Sequence, residues 1–189
     1  MRILLLLVLA SASVLAQTPS PKPAAPELRT GATVRGKYIT LNVGTNESDV
    51  APGGTITLIV RATPGRKMHV YAPGQQGYTP VALTVEKKDA TYRARAVTYP
   101  KPTLFEFTPL NEKVQVYDAP FTLMQAITLA TTPALRQRAS TGGTLAISGT
   151  FAYQACDDTI CYRPETLAVE WRIKLVPSGR QLHTKGQSK

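Results

Sequence analysis

Reactive side chains are scarce in this chain, which has two cysteines and two histidines in 189 residues. A structural zinc site takes three or four Cys/His ligands at set spacings. Cys156 and Cys161 would have to recruit both histidines, or Asp157 and Asp158, and His183 stands in a polar tail. Neither a metal nor an organic cofactor is therefore expected. Hydrolase chemistry is as poorly supplied: His69 is the one histidine within the patterned region, and no Gly-x-Ser-x-Gly elbow or Cys/His signature accompanies it. A Cys-x-x-Cys motif is also missing.

Concentrated charge is absent too. The net charge is +10, yet no run of five or six like charges occurs, and basic residues are not interleaved with aromatics. A nucleic-acid partner is not expected. Scattered residues such as Arg61, Lys67, Arg93 and Arg136 read as a solvated basic surface facing an anionic envelope or acidic partners.

Long apolar runs are confined to the first sixteen residues, MRILLLLVLASASVLA. Arg2 supplies a positive start, Ile3 to Ala10 an apolar stretch too short to span a bilayer, and Val14-Leu15-Ala16 a cleavage site. This reads as a secretory signal peptide cut near Ala16, giving a periplasmic or otherwise exported, soluble protein. Gln17, in place of a cysteine, argues against a lipoprotein. About 173 residues remain, enough for one domain with a sizeable core. Residues 17–32 are Pro/Ala-rich and read as a flexible linker, and 177–189 as a basic, flexible tail. The domain is expected over 33–176, and no later segment is expected to span a membrane.

Helical periodicity is nearly missing as well; TPALRQRA (132–139) is the single short candidate. What fills the chain is alternation with a period of two. In TLAVEWRIKL (166–175), Leu167, Val169, Trp171, Ile173 and Leu175 face one way, while Thr166, Ala168, Glu170, Arg172 and Lys174 face the other. TITLIVRA (55–62) and TLAISGTFAY (144–153) repeat the pattern, as half-buried antiparallel strands do. Turn signals such as Pro52-Gly53-Gly54 and Gly142-Gly143 punctuate them. Eight or nine strands in one domain predict an all-β fold, an immunoglobulin-like β-sandwich. The widely separated cysteines of an immunoglobulin disulfide are not present.

Both cysteines sit in YQACDDTICYRPE (153–165). In an oxidising compartment an even cysteine count favours their pairing with each other, with DDTI as the tight connection between two strand ends. Closing a loop of about six residues contributes roughly 2 kcal/mol in the chain-entropy model, which makes a weak staple. The energetics thus lean toward chemistry. Leu145, Ile147, Phe151 and Tyr153 share one face of the preceding strand. If that strand stays regular, Cys156 lies on the other face, away from the densest core and within reach of a partner thiol. Asp157 and Asp158 oppose thiolate formation at Cys156, so the pair reads as one that is attacked rather than as a strongly acidic attacker.

At these residues the chain resembles the N-terminal periplasmic domain of the thiol:disulfide interchange protein DsbD. The family motif, Tyr-Gln-x-Cys, a short acidic loop, Cys and then Pro-Glu, matches Tyr153, Gln154, Cys156, Asp157, Asp158, Cys161, Pro164 and Glu165. MHVYAPG, PVALTVE and VQVYDAPF follow the family in order and spacing. The resemblance implies an immunoglobulin-like fold over roughly 33–176. It also implies that Cys156–Cys161 is a redox couple passing electrons between a thioredoxin-like or membrane reductase and disulfide-bearing client proteins. His69 and Tyr71 fall where the family places aromatic residues near the pair. A shielding cap loop would fall near residues 107–111, with Leu110 in the family's aromatic position and Phe105 or Phe107 as substitutes. The competing reading is a non-catalytic β-sandwich binding or scaffold module, its disulfide only a local hairpin clip.

Overall fold

In the computed structural model, residues 27–88, 90–107 and 111–179 are described, the side chains of Thr30 and Phe107 excepted. The expected signal peptide, most of the linker and the tail from residue 180 lie outside the described residues. Thirteen strands and one helix occur within them, arranged as three sheets.

The first sheet runs in the order β1 (Arg29–Arg35), β2 (Ile39–Thr45), β4 (Thr55–Pro64), β10 (Phe121–Leu129) and β7 (Tyr92–Ala94). Facing it is a sheet of β3 (Asp49–Val50), β13 (Glu165–Leu175), β11 (Thr144–Tyr153) and β6 (Ala82–Val85). All ladders are antiparallel except β3 with β13. The alternation of 166–175 is realised: Val169, Trp171, Ile173 and Leu175 are buried and Leu167 half-buried against the core, while Thr166, Ala168, Glu170, Arg172 and Lys174 are exposed. Their buried faces meet Leu41, Val43, Leu58 and Val60 of the opposite sheet in one continuous core. Trp171 crosses that core, its indole Nε1–H donating to the Ile59 carbonyl at 3.3 Å. The all-β, immunoglobulin-like sandwich is therefore the observed architecture.

The strand count exceeds the expected eight or nine because several pieces are too short to show a period. Strands β3 and β12 (Ala155–Cys156) have two residues each, and β5 (His69–Tyr71) and β7 have three. Residues 33–43, alternating enough to pass for a single strand, are a hairpin of β1 and β2 turning over Gly36–Tyr38, where the Gly36 N–H donates to the Ile39 carbonyl. Strand β1 begins at Arg29, four residues ahead of the expected boundary. The short helical candidate is a helix, α1 (Pro133–Ser140). Thr132 caps it by accepting the Leu135 N–H through its side-chain hydroxyl, and Pro133 occupies the first turn, where no N–H is needed.

A third sheet sits at one end of the sandwich: β12, β5, β9 (Glu112–Tyr117) and β8 (Thr103–Phe107). Val70 and Tyr117 join the main core from one of its faces. On its other face Tyr71, Val114, Val116 and Cys156 form a separate buried cluster, against which Tyr78, Phe105 and Cys161 pack. This satellite cluster holds both cysteines.

Candidate functional site at the cysteine pair

Chain geometry around residue 154 decides where the sulfurs go. Strands β11 and β13 stay in register up to Tyr153 opposite Glu165. The chain then leaves that sheet at Gln154 and enters the third one, where Ala155 pairs with Val70 and Cys156 with His69. The crossing keeps the in/out parity: Tyr153 and Ala155 both enter the main core, and Cys156 points to the opposite face of the third sheet, away from the densest core as expected. That face is itself covered by Tyr71, Val114 and Val116, so Cys156 is 0 % exposed, which corrects the expectation of a sulfur within reach of a partner thiol. Its partner in the disulfide, Cys161, is only partly buried. Of the pair, only Cys161 keeps any exposure to solvent.

The DDTI connection is a closed turn. The Asp157 N–H donates to the Ile160 carbonyl at 3.0 Å, and the Tyr162 N–H to the Ala155 carbonyl at 2.9 Å. One carboxylate oxygen of Asp157 accepts the Thr159 and Ile160 N–H groups at 2.7 and 2.8 Å, and the other accepts the Tyr162 hydroxyl at 2.7 Å. The Ile160 amide first, then the Tyr162 hydroxyl and the Thr159 amide, hold the Asp157 carboxyl below the usual carboxylate range. Asp157 thus spends its charge on the turn, while Asp158 is exposed beside it.

Tyr71 reaches the pair from β5. Its hydroxyl lies 3.3 Å from each of the two sulfurs. Disulfide sulfurs carry no proton, so the phenol is the donor. The Tyr71 ring stacks on Tyr78 at 4.0 Å between centroids, and the Tyr78 hydroxyl donates to Glu112 at 2.7 Å. Burial, then Tyr78 and Glu112, push the Tyr71 phenol well above its ordinary range, so it remains protonated and able to donate. His69, 2 % exposed, lies against Phe105 with ring centroids 4.3 Å apart and edge-on to Tyr71 at 5.9 Å. Burial pushes its imidazole below the ordinary histidine range, against the opposing pull of Asp158, Asp118 and Asp157. It is neutral near pH 7.

Of the residues singled out in the sequence, the structure brings Cys156, Cys161, Tyr71, His69 and Phe105 into one cluster, with Asp157 and Asp158 in the turn above it. Gln154 acts one step away. Its side chain donates to the Tyr162 carbonyl and accepts the Thr79 N–H, both at 3.0 Å, tying the cysteine turn to the loop that carries Tyr78. Tyr153 points elsewhere: its hydroxyl donates to Glu165 and accepts the Tyr38 N–H at 3.3 Å, pinning the β1–β2 hairpin. Leu110 lies outside the described residues, as does the Phe107 side chain. Tyr78, Glu112 and Tyr162 escaped the sequence reading. Tyr78 sits in an aperiodic Pro/Gly-rich loop, and Glu112 meets it only through the pairing of β5 with β9. Tyr162 did carry a signal, an aromatic next to Cys161, and its ring stacks on Tyr38 at 4.1 Å.

The model of one protein family, described as the N-terminal part of thiol:disulfide interchange protein DsbD, matches residues 43–172. No curated protein matches the sequence. Among solved structures, the N-terminal periplasmic domain of ScsB from Proteus mirabilis is similar at 10 % identity and a TM-score of 0.50, covering 79 % of this chain and 52 % of that one. This chain therefore spans about half the length of that structure, and the likeness is one of fold. The reduced N-terminal domain of Neisseria meningitidis DsbD is similar at 13 % identity and a TM-score of 0.39, covering 71 % of this chain and 84 % of that one.

Proposed function

Because this chain belongs to the DsbD N-terminal domain family, we propose that it is an exported thiol:disulfide exchange module working through Cys156–Cys161. The observation that carries this reading is the asymmetry of the pair. Cys161 is partly exposed, Cys156 is buried, and one phenol is within hydrogen-bond distance of both sulfurs. A partner thiolate attacks the Cys161 sulfur. The intramolecular S–S bond breaks, the electron pair leaves on Cys156, and a mixed disulfide joins Cys161 to the partner. Tyr71 donates a hydrogen bond to the departing sulfur, where charge develops. A second partner thiolate then resolves the mixed disulfide, leaving the partner oxidised and this chain reduced. The reverse sequence hands the two electrons to a client disulfide. Thioredoxin-like or membrane reductases and disulfide-bearing clients are the partners this chemistry needs. The signal peptide ending near Ala16, periplasmic export and a redox domain over 33–176 belong to the same proposal. No helix among the described residues is long and apolar enough to cross a membrane.

Trapping in the exporting cell tests the reading. With Cys156→Ser, the Cys161 thiol has no internal partner to release it, and mixed disulfides that vanish on treatment with dithiothreitol should accumulate. With Cys161→Ser they should be scarce, because the remaining thiol is buried. The absence of mixed disulfides in both variants would remove the proposal.

A further inference from the structure

Opening the disulfide in this way leaves one member of the satellite cluster without a role. His69 stands directly opposite Cys156 in the ladder of β5 and β12. Directly opposed residues of an antiparallel pair put their side chains on the same face, with Cβ atoms about 4.5–5.5 Å apart. The imidazole is packed against Phe105 and Tyr71, and its Nε2 is buried with no hydrogen-bond partner among the described residues. Buried polar nitrogens are normally paired, and a dry, unpaired one is costly. The same ladder position holds the sulfur on which charge appears when the bond opens. That sulfur is 0 % exposed, and a buried thiolate needs a charge partner as well as a hydrogen bond. Tyr71 supplies the hydrogen bond but keeps its proton.

We propose that His69 is the charge partner of Cys156 in the opened pair, taking a proton from solvent to form an imidazolium beside the Cys156 thiolate. This rests on the exchange reading of the site. The balance is complete: the partner thiolate supplies the electron pair that forms its bond to Cys161, the S–S pair leaves on Cys156, and water supplies the proton that His69 takes up. When the internal disulfide reforms, Cys156 attacks Cys161, the partner departs as a thiolate, and His69 returns its proton to solvent. Charged groups facing the imidazole favour this. Asp157 and Asp158 from the cysteine turn and Asp118 beyond β9 all pull it toward the cation, and burial alone holds it neutral while the disulfide is closed. Tyr71 beside it is neutral, with Glu112 acting on Tyr71, and Phe105 on β8 and Val114 on β9 are apolar. A thiolate on the same face adds the attraction that tips the balance. By linkage it raises the proton affinity of His69 by the factor that His69 lowers that of Cys156.

Ring-proton NMR of the wild-type protein, oxidised and then reduced by dithiothreitol, reads this without any substitution. The His69→Phe spectrum distinguishes the resonance from that of His183. The His69 midpoint should rise on reduction by at least one pH unit, a tenfold gain in proton affinity. Reciprocally, the thiolate absorbance of Cys156 in the Cys161→Ser protein should titrate at least one pH unit higher once His69 is changed to Phe or Gln. A His69 midpoint that is equal in the two redox states, or a Cys156 midpoint indifferent to both substitutions, would overturn the pairing. No partner protein enters these titrations. Shifted midpoints without trapped mixed disulfides would remove the exchange reading alone, and trapped mixed disulfides with unshifted midpoints would remove the charge pair alone.

Discussion

Per thiolate, Cys161 in a Cys156→Ser protein should react with iodoacetamide at least about 100-fold faster than Cys156 in a Cys161→Ser protein, equivalent to a local opening of about 2.7 kcal/mol. The difference follows from where the backbone places the two sulfurs. Cys156 lies in β12, fully buried among Tyr71, Val114 and Val116, whereas Cys161 lies beyond the turn and is partly exposed. Reagent can reach Cys156 only when the turn lifts, and that turn is closed by the Asp157 carboxylate, the Asp157–Ile160 and Tyr162–Ala155 backbone bonds, and the Gln154 bridge. Rates are compared per thiolate so that any difference in acidity drops out. Equal rates would mean that the turn opens freely, and Cys161 would lose its claim to be the attacked sulfur.

Trp171→Ala should lower the unfolding free energy by about 3–5 kcal/mol, read from urea denaturation at fixed redox state. Trp171 is 1 % exposed in the centre of the sandwich and bridges the sheets through its bond to the Ile59 carbonyl. Its seat is shaped to receive it. At Gly149 on β11, a Cβ would come within 3.2 Å of the indole Cζ3 and 2.6 Å of the Thr84 carbonyl oxygen. The wall at Gly149 is backbone and cannot collapse into the space left by alanine. Reducing the disulfide should cost less, roughly 2 kcal/mol for so short a loop. The sandwich should therefore stay folded in both redox states, as an exchange module requires. If reduction proved more damaging than Trp171→Ala, the disulfide would be a staple after all.

Period-two alternation over 55–62, 144–153 and 166–175 makes the sandwich legible in the sequence, because burial on one face of a sheet writes itself directly into side-chain polarity. The hairpin split at Gly36 and strands of two or three residues left no such imprint. Neither did β8, where Leu104 is 61 % exposed and Phe105 half-buried. At the site, the pairing of Cys156 with Cys161 and the turn-forming role of DDTI were readable from spacing. The burial of Cys156 was not: the crossing at Gln154 seats it in the third sheet, where Tyr71, Val114 and Val116 cover its face, and alternation cannot report that cover. The same crossing explains why Tyr153, next to the motif's cysteines in sequence, serves the β1–β2 hairpin, while Tyr71, 85 positions from Cys156, touches both sulfurs.

The reduction potential of Cys156–Cys161, from equilibration with glutathione redox buffers, bears most directly on whether this pair exchanges. An exchanging couple should fall among catalytic dithiols, between about −120 and −270 mV, whereas a value below about −300 mV would mark a structural clip and contradict the account.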